Sequence, residues 1–215
     1  HVEEWAKVNN LTLNRTKSVE IVFVSPRSRR VTLIPSPSVL GFQRVEFIKV
    51  LGVTISRKFS VAQHVDDLLA ACAQTLFALR TLQHHGLPDD AIKAVFQAVA
   101  VAKLSYATPA WWGFSSAVDR SRIEAFLRRS VSFNYRTVSA PSFNSVCASA
   151  DEKLFNSILH NSQHILFPLL PPLRDNHYSL RIRSHNRQLP SRSSALTDNN
   201  FLMRMLYQDT SSSQK

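Results

Sequence analysis

Glycine is scarce in this chain: Gly41, Gly52, Gly86 and Gly113 are the only four among 215 residues. Neither GxGxxG nor GxxxxGK followed by Ser or Thr can be written with those positions, which excludes the two common glycine-rich phosphate cradles. Cysteine is scarce too. Cys72 and Cys147 do not make a disulfide framework. Cys72 falls on the apolar face of a predicted helix, where a free thiol acts as a small hydrophobe, and a reducing compartment is the simplest setting. No stretch reaches the ~18 apolar residues of a membrane span. The longest candidate, Ala91 to Leu104, is interrupted by Lys93, Gln97 and Lys103. No signal peptide is visible, so the expected location is intracellular, nucleus or cytoplasm, and not secreted. Acidic residues are the minority charge, 15 Asp+Glu against 26 Lys+Arg, for a formal net charge of +11. Such an excess suits a polyanionic partner, because each neutralised phosphate releases counterions. A basic protein without such a partner is the alternative.

What is present is an ordinary hydrophobic content, 44%, sufficient for one large or two small domains. The chain opens on a histidine in mid-element, which reads as a fragment or a cleaved product. Residues 1–57 read as α then β: the end of a helix over Val2 to Asn10, then a strand over Val19 to Val24 too apolar for a wet face. A turn follows at Pro26 with Arg27, Arg29 and Arg30, then a return over Val31 to Ile34 ended by Pro35 and Pro37. A third strand spans Val45 to Ile55, with Gly52 marking a bulge, a close backbone approach, or simply a kink at a sheet edge.

Residues 58–135 read as three helices. Ser60-Val61-Ala62-Gln63 is a predicted capping box. From it Val61, Val65, Leu68, Leu69, Cys72, Leu76, Leu79 and Leu82 recur at helical spacing. Gly86 stands where a C-terminal cap belongs, and Pro88 suits the first position of the next helix, with Asp89 and Asp90 favouring its dipole. Pro109 to Gly113 interrupts, and Ser116-Ala117-Val118-Asp119 opens a third helix with Ile123, Phe126, Leu127 and Val131 inward. A further helix is predicted over 149–167, capped by Ser149 and Glu152 and stopped by Pro168. The remainder is polar and basic, with two ordered-looking islands at Tyr178 to Arg183 and Phe201 to Tyr207.

Several constellations carry possible chemistry. Asp66-Asp67 and Asp89-Asp90 are the two Asp-Asp pairs, and both fall on predicted helices, where consecutive residues point about 100° apart. His160 and His164 are four apart, a metal-compatible spacing on a helix, but two surface histidines are the plainer reading. Trp111-Trp112 either stacks on bases or packs a helix corner. Arg120, Arg122, Arg128 and Arg129 recur on the third helix. Arg122 and Arg129 share a face, and Arg128 lies about 120° from Arg122. Such a run is a solvated face or a row of phosphate contacts.

The order of these elements resembles the last part of the reverse transcriptase of non-LTR (LINE-type) retrotransposons. Trp5…Asn9-Asn10-Leu11-Thr12-Leu13-Asn14-Arg15-Thr16-Lys17-Ser18 looks like palm motif D, and the Leu51-Gly52 strand like the primer grip. The helices after it look like the thumb, where Lys103-Leu104-Ser105-Tyr106 runs into Pro109-Ala110-Trp111. The tail around Asn176 to Arg181 and Phe201 to Tyr207 looks like sequence that follows the polymerase. The resemblance covers nearly the whole chain, and the ordered set rather than any single motif carries it. It implies an α+β fold: a small antiparallel sheet (the palm edge) over 1–57, a helical thumb-like bundle over 58–135, and a connection helix with a basic, partly irregular tail over 136–215. It implies that Lys17 is a general acid toward the leaving pyrophosphate in the full enzyme, or else a solvated lysine before a strand. It makes Leu51, Gly52, Arg120, Arg122, Arg128 and Arg129 nucleic-acid-binding candidates, with RNA or an RNA–DNA duplex as partner and no membrane. The family's catalytic aspartates and fingers have no counterpart here. The expected cofactor set of this chain is therefore empty, Mg²⁺ belonging to the full-length family, and the missing upstream polymerase domains are partners. An independent nucleic-acid-binding or interaction module, or a transposon relic without function, are the rival readings.

Overall fold

A computed structural model describes residues 1–24, 38, 41–174 and 185–211, with side chains through 208. The chain forms two compact units, His1–Gln63 and His64–Lys215.

In the first unit, helix α1 (Val2–Val8) ends as its sequence allows. Asn10 takes a left-handed conformation (φ +54°), which asparagine tolerates. Its N–H reaches Lys7 O at 3.2 Å and the Leu11 N–H reaches Ala6 O at 2.8 Å, the paired bonds of a Schellman cap. Strand β1 (Val19–Glu20) pairs in parallel with β2 (Gln43–Arg44). Its register places Glu20 opposite Arg44, and their side chains pair at 2.5 Å. The long apolar strand expected over Val19 to Val24 is thus only two residues of ladder. Of the apolar surface expected there, Phe23 remains 43% exposed and stacks on Phe59 at 4.2 Å, while Ile21 and Ile48 are half-buried. The expected return over Val31 to Ile34, with Pro26 to Arg30, Pro35 and Pro37, lies outside the described residues.

The single strand expected over Val45 to Ile55 is a hairpin. Strands β3 (Phe47–Val50) and β4 (Val53–Ser56) pair antiparallel, with Val50 opposite Val53. Leu51 (φ +47°) and Gly52 (φ +87°) are the two turn residues between them. Two successive positive φ values are what a two-residue type I′ turn demands, so Gly52 serves a reversal rather than a bulge.

Helix α2 (Ala62–His84) starts two residues later than Ser60, whose hydroxyl accepts the Ala62 N–H at 3.3 Å. Val65, Cys72 and Leu79 of its stripe are fully buried, whereas Leu82 is exposed. Gly86 (φ +87°) closes it with a second Schellman pair, to Gln83 O and Leu82 O, both at 3.0 Å. Pro88 is the N-cap rather than the first residue of α3 (Asp89–Phe96). One π-helical turn, Gln97–Val101, then links α3 to α4 (Ala102–Ser105). The Ala100 carbonyl of that turn accepts the Cys72 thiol at 3.8 Å.

Helix α5 (Thr108–Trp111) and a 3₁₀ turn (Trp112–Phe114) form the interruption predicted at Pro109 to Gly113. Trp111 and Trp112 are buried edge to face, 5.8 Å apart, and Trp112 meets Phe143 at 5.2 Å. They pack a corner and offer no face to a base. Helix α6 (Ala117–Ser132) has the predicted box: Ser116 Oγ accepts the Asp119 N–H at 3.1 Å, and Asp119 Oδ2 accepts the Ser116 N–H at 3.2 Å. Asn134 (φ +61°) supplies a third Schellman cap.

Helix α7 (Phe143–His160) replaces the helix expected over 149–167. The Ser142 hydroxyl accepts the Ser145 N–H at 3.2 Å and is the true cap, so Ser149 and Glu152 lie in mid-helix. No Gly or Pro interrupts 143–160, and burying Phe143 and Cys147 favours extending the helix that far. The tail folds back as α8 (Ala195–Asp198) and α9 (Phe201–Ser211). Phe155, Ile158, Leu170, Met205 and Leu206 make one core cluster, against which Leu189, Phe201, Leu202 and Tyr207 of the tail pack. The island at Phe201 to Tyr207 is α9, and the one at Tyr178 to Arg183 lies outside the described residues. The fold class is α+β and helix-rich; the described residues hold one small antiparallel sheet and a short parallel pair.

Candidate nucleic-acid interface

In the first unit, Asn14 organises the approach to β1. Its side-chain Oδ1 accepts the Thr16 hydroxyl at 2.7 Å and the Lys17 N–H at 3.2 Å, bracing the turn from Asn14 to Lys17. Lys17 is therefore held by its backbone while its side chain is exposed. Leu51 and Gly52 sit at the hairpin tip, with Leu51 86% exposed. A leucine with positive φ is uncommon and carries a backbone cost.

In the second unit, α6 does not present its four arginines alike. Arg120 turns inward. Its Nε donates to Ser115 Oγ at 2.9 Å, its Nη2 to Trp112 O at 3.1 Å, and its guanidinium stands 4.8 Å from the Trp112 ring. Burial holds its pKa below the ordinary arginine value, and the neighbouring Arg204 adds to the effect. Arg122 bridges to α2, pairing with Asp66 at 2.6 Å and reaching Asp119 at 3.6 Å. Arg128 and Arg129 are exposed near the end of α6, and their side chains make no hydrogen bond or ion pair with another described residue. Arg136, beyond the helix, donates to Pro141 O at 2.5 Å. Of the predicted row, then, two guanidinium groups are committed to holding the fold and two stand in solvent.

Sequence reasoning missed a groove of about 200 Å³ beside them, lined by Leu76, Phe77, Arg80, Phe133 and Tyr135. Phe133 lies one turn beyond Arg129, and Arg80 stands 5.9 Å from its ring. The available signal was Phe77, a large apolar residue off the α2 stripe and 75% exposed.

Neither Asp-Asp pair forms a metal site. Asp66 is engaged by Arg122, and Asp89 accepts the Asn134 side-chain amide at 2.8 Å. Both pairs lie on helices, and among the described residues no three His, Cys, Asp or Glu side chains converge on a cation position. His160 and His164 do not share a helix face, because α7 ends at His160 and Asn161 is extended (ψ 99°). His160 Nδ1 bonds Asn156 O at 2.8 Å, and His164 Nδ1 accepts the Leu166 N–H at 3.1 Å. Among the described residues no helix is long and apolar enough to cross a membrane.

Set against known proteins, the chain matches no protein-family model, no curated protein and no solved structure.

Proposed function

We propose that this chain is a C-terminal piece of a LINE-type reverse transcriptase, comprising a palm edge, a thumb and a tail, whose own chemistry is binding RNA or an RNA–DNA duplex. The motif order supports the identity: the Asn14 to Ser18 turn before a strand, the Leu51-Gly52 tip, then the Tyr106 to Trp111 corner. The observation that carries the binding is the exposed couple Arg128 and Arg129, without an acidic partner among the described residues, in a chain of net charge +11. Guanidinium groups free of acidic partners can neutralise phosphates without first breaking an internal ion pair. Arg120 and Arg122 act behind them, fixing α6 to the Trp112 corner and to α2.

Lys17 would protonate the leaving pyrophosphate only with the catalytic palm in place, and Leu51 and Gly52 would lie beneath a primer end there. Alone, the chain binds and does not polymerise. The identity is tested by reading the parent transcript upstream of His1. An aromatic-x-Asp-Asp motif in the same frame supports it. A start codon directly before His1 favours an independent binding module, a reading that the self-contained core of the second unit also favours.

A further inference from the structure

Between the Trp112 corner, α7 and the tail lies a second, larger cavity of about 400 Å³, within the size class of small-ligand sites. Arg120, Arg192 and Arg204 line it, with Asp151 and Asp198. Three cations against two carboxylates leave one positive charge in excess, and the pairing is uneven. Of the three, Arg204 alone has an acidic partner among the described residues, Asp151, at 2.6 Å. Arg120 is held by neutral oxygens and the Trp112 ring. Arg192 lies 4.2 Å from the Tyr207 ring and pairs with no described acid. Asp198 Oδ1 is buried and finds no donor among the described residues.

Arg120 and Arg204 repel one another in the partly desolvated interior of the cavity and Arg192 stands at its exposed rim, so an anion is favoured there, and the planar forks match tetrahedral oxyanions. An unpaired buried acceptor on the same wall costs desolvation energy until a donor reaches it. A bare oxyanion satisfies the first need and aggravates the second, because Asp198 and Asp151 repel it. A ligand with an anionic end and a hydroxyl end satisfies both.

We propose that this cavity binds a phosphate monoester carrying a neighbouring hydroxyl, the chemistry of a nucleotide, with the phosphate toward Arg120 and Arg192 and the hydroxyl donating to Asp198. The site uses neither Arg128 nor Arg129 and stands apart from the duplex-binding reading. A free nucleotide and the 5′-phosphorylated end of an RNA strand, which keeps its 2′-hydroxyl, offer the same groups.

The experiment is calorimetric titration of the full chain with adenosine 5′-monophosphate, adenosine and inorganic phosphate. Short RNA oligonucleotides with and without a 5′-phosphate are compared by anisotropy. The monophosphate should bind more tightly than inorganic phosphate, and adenosine should not bind. Arg192→Gln, at an exposed position that spares the core, should weaken the monophosphate about tenfold, the loss of one charged hydrogen bond. Asp198→Asn should weaken the monophosphate yet not inorganic phosphate. A 5′-phosphate that strengthens oligonucleotide binding identifies the source as a strand end; its indifference, with the monophosphate still bound, identifies a free nucleotide. Absence of monophosphate binding at millimolar concentration, or equal affinity in wild type and Arg192→Gln, would overturn the proposal. Duplex binding lost through Arg128 and Arg129 would leave these outcomes unchanged, so the two claims fail separately.

Discussion

Arg204 of α9 and Asp151 of α7 meet at 2.6 Å in a pair almost closed to solvent, with Asp151 6% and Arg204 22% exposed. The same guanidinium reaches the Pro109 carbonyl at 3.4 Å, so one side chain ties the tail to both α7 and the α5 corner. Replacing Arg204 by methionine leaves a buried carboxylate without its partner and should cost about 3 kcal/mol, the lower end for such a loss. The double replacement Arg204→Met with Asp151→Asn should recover part of it. Urea unfolding of the three proteins measures this; a single-mutant cost below about 0.5 kcal/mol, as for a surface pair, would refute it.

Gly113 is where the tail comes closest to the corner. A Cβ built there would lie 2.2 Å from the Asn199 carbonyl and 2.6 Å from Arg204 Nε. The first neighbour is backbone and cannot swing away. Gly113→Ala should therefore displace the tail, with a cost of about 1–3 kcal/mol. Limited proteolysis should cut between 185 and 211 sooner than in wild type. An unchanged cleavage rate would mean that the tail is not seated on Gly113.

Burial pushes the Cys72 thiol up to about 11 and the Cys147 thiol up to about 12, from an ordinary 9.0, with Asp151 adding to the rise at Cys147. Both should therefore resist iodoacetamide at pH 8 in the folded protein and react on unfolding. A group raised on folding contributes stability fully present below its unfolded value and lost as pH climbs through its folded one. Thermal stability should thus fall from about pH 9 toward 11–12 more steeply in wild type than in Cys72→Ala/Cys147→Ala, and parallel curves would contradict the assignment.

At the hairpin tip, Leu51→Asn should raise stability by about 0.5–1 kcal/mol, since asparagine adopts positive φ at lower cost. If the Leu51 side chain also touches nucleic acid, the same variant binds more weakly while being more stable. Thermal melts and binding isotherms on one preparation separate the two effects. A loss of stability would show that Leu51 is held by contacts its exposure does not suggest.

Local chemistry was the readable part of this fold. The Gly86 cap, the Ser116 and Asp119 box and the buried stripe Val65, Cys72 and Leu79 depend on spacings within a few residues, where the handful of allowed backbone states leaves little choice. The reversal at Leu51-Gly52 was hidden because leucine stands where asparagine or aspartate ordinarily marks a type I′ turn. The start of α7 was missed because Ser142, Ser145 and Ser149 offer several caps, and burial of Phe143 decides among them. The folding of the tail rests on Arg204 finding Asp151 across 53 positions, and no local pattern carries that pairing. In the candidate site, composition indicated a basic surface but not its division. Arg120 and Arg122 read like Arg128 and Arg129 until Ser115, Trp112 and Asp66 are seen to claim them.

A salt titration tests the binding claim most directly. Wild type and Arg128→Ala/Arg129→Ala are titrated onto one RNA–DNA duplex across a series of salt concentrations. The log–log slope should be near −0.9 per phosphate neutralised, and the double variant should be shallower by about two such contacts with its sequence preference unchanged. Equal slopes would mean that both arginines face only solvent, and would contradict the account.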